Sequence, residues 1–128
     1  MPAAITALYA AILALMVTAL AINVTVHRVK LKVAVGDGDN PQMLRMIRLH
    51  GNAAEYVPLA LALMLAYELN GGAPVVLHIA GIVLVAGRIL HAWGLWQADA
   101  PNLRRASGQT LTWLAIATLA ALNLWQVA

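Results

Sequence analysis

Four long apolar stretches, residues 3–26, 53–69, 75–95 and 111–128, decide most of what this chain can become. Each is about as long as the roughly 20 helical residues needed to cross a bilayer core of about 30 Å. Hydrophobic residues make up 62% of the 128 and charged residues 10%, far from the balance of a water-soluble domain. The expected fold is an all-α integral membrane protein, a single four-transmembrane-helix bundle over residues 1–128. Its helices are expected near 3–27, 42–69, 74–97 and 101–127. The first stretch has no basic residue ahead of it and is longer than the apolar segment of a secretory signal, so a retained helix is expected. Without cysteine the chain has no disulfide, thiolate metal site or cysteine nucleophile, and any thiol chemistry must come from a ligand.

The eight Lys and Arg residues all fall around the first and third connections, and none in the second, "ELNGGAP". The positive-inside rule then predicts a cytoplasmic face for the first and third connections and the opposite face for both termini. The net charge of +3 is accounted for by a basic rim beside anionic headgroups, so membrane lipids are expected partners and nucleic acid is not. Trp93, Trp96, Tyr67 and Trp125 suit the two interfacial belts.

The stretch "GDGDNPQ" reads as a turn between the first two helices. Its spaced acids lack the terminal glutamate of a calcium loop, and no metal is expected. "NGGAP" is a second turn and "ADAPNLRR" a third, in which Asp99 or Asn102 can cap the last helix and Pro101 suits its first turn.

The informative polar residues open the second helix. Arg45, Arg48, Asn52 and Glu55 are spaced three, four and three apart, which aligns them on one helical face. At 1.5 Å per residue Glu55 lies roughly 10 Å further along the axis than Arg48. A carboxylate at that depth costs about 2.5–3.5 kcal/mol unless it faces water, protein or a counter-charge, so the stripe is expected to face a cleft. Pro58 leaves the Ala54 carbonyl without its helical donor and favours a bend. Arg28, Arg88, Arg104 and Arg105 are expected on the same side as the stripe. That supply exceeds what one structural ion pair needs and suits a ligand with more than one carboxylate. Glu68, beside "LNGGAP", is expected to be solvated by water. His50 is expected to point away from the stripe, and His78 to be structural.

"RMIRLHGNAAEYVPL" at 45–59 resembles the second-helix motif R-x-x-R-x-x-x-N-x-x-E-Y-x-P of the MAPEG superfamily, the membrane-associated proteins of eicosanoid and glutathione metabolism. "GRILHAWG" at 87–94 and "LRRAS" at 103–107 are similar to its third- and fourth-helix elements. The short chain resembles the bacterial branch of microsomal glutathione transferase-like proteins, rather than leukotriene C synthase or microsomal prostaglandin E synthase. This resemblance implies a homotrimer in a bacterial inner membrane, with periplasmic termini and the polar site on the cytoplasmic side. It implies glutathione as co-substrate, held by Arg48, Asn52, Glu55 and Tyr56, with Arg28 and His50 from a neighbouring subunit, and with Arg88 and His91 nearby. Arg104 falls where the family places the catalytic arginine beside the glutathione sulfur, and Arg105, about 100° away, would face headgroups. Two third-helix positions often tyrosine in eukaryotic members are His91 and Leu95 here, and Leu95 cannot hydrogen-bond.

Those residue types suit the ligand. Glutathione carries two carboxylates and an ammonium; Glu55 complements the ammonium, Arg48 a carboxylate and Asn52 an amide, while Arg104 would favour thiolate over thiol. The expected activity is a membrane glutathione transferase, with possible peroxidase chemistry, attacking lipophilic electrophiles or lipid hydroperoxides. Two alternatives remain: a family member that binds ligands without catalysis, for which Leu95 speaks, and a small four-helix transporter. The transporter needs a coupling acid near the midplane, and the first helix has none.

Overall fold

A computed structural model describes residues 2–97 and 101–128. Its helices are α1 (Ala4–Leu31), α2 (Pro41–Leu69), α3 (Pro74–Gln97) and α4 (Leu103–Val127). Among the described residues α1, α3 and α4 are long and apolar enough to span a membrane. With 29 residues α2 is equally long, but the stripe from Arg45 to Glu55 makes its first half polar.

Helix ends follow local chemistry. α1 runs past its expected end near residue 27, because Arg28 and Lys30 are good helix formers whose charges suit a C-terminal dipole. It stops where Lys32 turns left-handed, at φ 55°, and the Val33 N–H bonds back to the Arg28 carbonyl at 3.0 Å. Asn40 caps α2, its side chain accepting from the Gln42 and Met43 N–H groups at 2.9 and 3.1 Å. The helix then continues unbroken through Pro58. Before α4, Pro101 lies outside the helix and not in its first turn, because Asn102 is the cap. The Asn102 oxygen accepts from the Arg105 N–H at 3.0 Å while its amide donates to the Gly94 carbonyl at 2.8 Å, tying α4 to α3. Asp99, the other expected cap, lies outside the described residues.

Packing is closest between α3 and α4; α1 lies against α2 and α3, and α2 against α3 and α4, while the backbones of α1 and α4 do not approach closely among the described residues. Glycines set the α3–α4 distance. A Cβ on Gly108 would collide with the His91 backbone nitrogen, and one on Gly94 with that of Arg105. Small residues of this kind let helices approach backbone to backbone, the close contact that associates helices in lipid. The core is stacked in three layers: Met43, Met46, Leu49 and Leu95 at the loop end near Asn40, Leu13, Val57, Ala60, Leu84 and Ala115 in the middle, and Tyr9, Met64, Tyr67, Leu77 and Leu119 at the far end.

Two far-end expectations are corrected. Tyr67 is a core residue, 6% exposed, not an interfacial one; it packs beside Gly72, and its hydroxyl accepts from the Ala73 N–H at 3.4 Å. Trp93, Trp96 and Trp125 are exposed as belt residues should be. Glu68 is not left to water. Its carboxylate accepts the Ile5 N–H at 2.9 Å and the Thr6 N–H at 2.7 Å, closing the first turn of α1, whose own cap position, Ala3, supplies no side-chain bond.

Candidate functional site

The stripe on α2 forms, but it splits between two environments. Arg48 and Glu55, two helical turns apart, pair as a fork, Nη1 to Oε1 at 3.2 Å and Nη2 to Oε2 at 3.5 Å. About half of each side chain is exposed, 51% and 53%, so Glu55 is not the buried acid that its depth suggested. Asn52, on the same face, turns inward instead. Its Oδ1 accepts from Arg88 Nη2 at 2.6 Å, and that nitrogen also lies 3.2 Å from His91 Nδ1. Arg88 is 1% exposed and His91 3%, and the Nε and Nη1 of Arg88 are buried without hydrogen-bond partners.

Above this cluster a cavity of about 480 Å³ opens between α2, α3 and α4. Its walls include Asn52, Tyr56, His91, Asn102, Arg105, Gln109, Thr110 and Trp113. A smaller basic cleft of about 240 Å³ lies beside it, lined by Arg45, Arg48, Leu95 and Arg105 among others. Arg105 borders both. Arginines therefore do converge, but on this cleft and not on Glu55, whose guanidinium partner is Arg48 alone among the described residues.

The two arginines that open α4 face the reverse of the sequence expectation. Arg104 lies over the Trp93 ring, 4.3 Å from its centre, and bonds Gln97 on the outer surface, whereas Arg105 turns to the cavity. The helix phase explains this: capping by Asn102 and the Gly94 contact press the Arg105 backbone against α3. Arg28 folds onto its own loop, donating to the carbonyls of Val33, Ala34 and Gly36, the last at 2.9 Å. His50 is half-buried on α2. Leu95, 5% exposed, belongs to the loop-end core layer while one edge borders the basic cleft.

Gln109, Thr110 and Trp113 escaped sequence reasoning. Gln109 follows Arg105 by four residues and Trp113 follows by four more, so their shared face was legible once Arg105 was placed on the cavity. Both polar atoms of the Gln109 amide are buried without a partner at the cavity wall.

The model of the MAPEG family matches residues 6–125 of the chain. This protein belongs to the MAPEG family. It is 39% identical over 127 residues to the inner membrane protein YecN of Escherichia coli K12, a match covering 94% of this chain and 91% of that one. The same figures hold for the YecN of the O6:H1 strain CFT073. Membership makes the four helices a MAPEG membrane bundle, and the stripe, the Arg88 cluster and the Arg105 cavity are the polar features at one end of it.

Proposed function

We propose that this MAPEG protein binds glutathione at the end of the bundle carrying the stripe and activates its thiol for attack on a lipophilic electrophile or lipid hydroperoxide from the bilayer. One observation carries the reading: the half-exposed Arg48–Glu55 fork shares α2 with Asn52 and Tyr56 of the cavity wall, and its Arg48 borders the basic cleft that meets that cavity at Arg105. A ligand end bearing both a carboxylate and an ammonium matches the fork charge for charge. An exposed ion pair is worth about 0–1 kcal/mol, so a ligand can open it at little cost. The basic cleft of Arg45, Arg48 and Arg105 suits a second carboxylate.

Within one subunit Arg105, not Arg104, is the guanidinium that can hold the thiolate. A thiol with a pKa near 8.5 is mostly protonated at neutral pH, and an opposite charge in a partly dry site favours its ionised form. An apolar groove of about 440 Å³ between α3 and α4, lined by Val76, Ile79, Val83, Leu111, Leu114 and Leu122 among others, suits a lipophilic second substrate. The basic connections support a site on the cytoplasmic side, and the name of the Escherichia coli relative supports an inner membrane. A homotrimer would bring further residues, Arg28 and His50 among them, to the site of a neighbour.

A second reading, ligand binding without turnover, draws on Leu95, which offers the cleft no hydroxyl. Calorimetry of glutathione with the detergent-solubilised protein, followed by turnover of an aryl halide, separates the two. Arg105→Ala is expected to slow turnover at least tenfold, equivalent to about 1.4 kcal/mol or one pKa unit on the thiol, and more than Arg104→Ala does. The larger loss at Arg104 would return the role to that residue. Binding without turnover in the parent would favour the second reading, and no binding would refute the first.

A further inference from the structure

Arg88 is sealed from the cavity, yet it touches two of the side chains that line it. A guanidinium has only N–H donors and accepts nothing. The two hydrogens on its Nη2 therefore dictate how both neighbours are turned. Asn52 must direct its oxygen to Arg88 at 2.6 Å, which leaves its NH2 for the cavity. His91 must direct a bare Nδ1 to Arg88 at 3.2 Å, which puts the ring proton on Nε2.

We propose that Arg88 is a positioning residue that locks His91 in the Nε2–H tautomer and orients the Asn52 amide, so that both present only donors to the cavity. These three groups of the wall then match the acceptor-bearing groups of an anionic ligand: the Nε2–H of His91, the NH2 of Asn52 and the guanidinium of Arg105 all donate. His91 thereby supplies, from one helical turn earlier, a donor that Leu95 lacks. The ligand identity rests on the glutathione reading above; the tautomer does not.

The test begins with the ligand-free parent in detergent, its histidine rings labelled with ¹⁵N. The four histidines are sorted by loss of one set of signals in His91→Gln. For His91 the proton-bearing nitrogen is expected to be Nε2, with Nδ1 bare; a proton on Nδ1 would overturn the proposal. Arg88→Met, checked for folding by thermal denaturation, is expected to mix the two tautomers, and Arg88→Lys to restore much of the bias. An unchanged tautomer in a folded Arg88→Met protein would also overturn it. Glutathione titration adds a second readout. The Gln amide reaches the position of Nε2 and the Asn amide only that of Nδ1. His91→Gln should bind within about threefold of the parent, while His91→Asn should bind about tenfold to a hundredfold more weakly, the usual cost of losing a bond to a charged group. Equal binding by the two variants would refute the donor role of Nε2. A parent with the expected tautomer that binds no glutathione would refute the proposed ligand and leave the Arg88 arrangement standing.

Discussion

Two glutamates on α2, Glu55 and Glu68, have opposite fates. At the stripe end Glu55 faces one arginine of its own helix, and both side chains are half exposed. At the far end Glu68 accepts two backbone N–H groups from another helix and holds α1 in place. Residue type and helix are the same, so the difference lies in what surrounds them. Where a carboxylate answers backbone donors that have no other partner, it belongs to the fold. Where it answers an exposed guanidinium, it remains open to a ligand of matching charge.

The largest effect that would break this contrast concerns Glu55. Glu55→Gln is expected to weaken glutathione binding by about 2 kcal/mol or more, roughly thirtyfold, as removal of a ligand's charge partner does. Its melting temperature should barely move, since the exposed pair contributes about 0–1 kcal/mol. Glu68→Ala should do the reverse: unfolding in detergent becomes easier by about 1–2 kcal/mol, the usual value of a lost helix cap, while the folded fraction binds glutathione like the parent. If Glu68→Ala weakens binding and Glu55→Gln destabilises the bundle, the division between the ends is wrong. A smaller effect sharpens the contrast at the turns. The far turn gives its left-handed position to Gly71, φ 80°, whereas the turn near the stripe forces Lys32 and Asp39 to φ 55°. Lys32→Gly should therefore stabilise by up to about 1 kcal/mol, and Gly71→Ala, with open space around it, should destabilise by about 1–2 kcal/mol through backbone strain alone.

What the sequence made legible follows the range of each interaction. Hydropathy over some 20 residues announces the spans, and spacings of three and four announce the stripe from Arg45 to Glu55, because both signals are local. The facing of Arg104 and Arg105 was not local. It depends on which residue caps α4 and on Gly94 and Gly108 fixing its rotation against α3. The burial of Arg88 hid for a similar reason: a charged residue near the end of a helix ordinarily faces headgroups, and here Asn52 and His91 draw it inside. Glu68 left no trace at all, since its partners are backbone amides, which have no letter in the sequence.

The Glu68 cap also orders the making of the protein in time. Thr6 emerges from the ribosome 62 residues before the side chain that closes its helix turn. Until the last turn of α2 is made, the opening amides of α1 have only water or headgroups to bond. A chain halted before Glu68 would therefore hold both helices but leave the first turn of α1 without its side-chain acceptor.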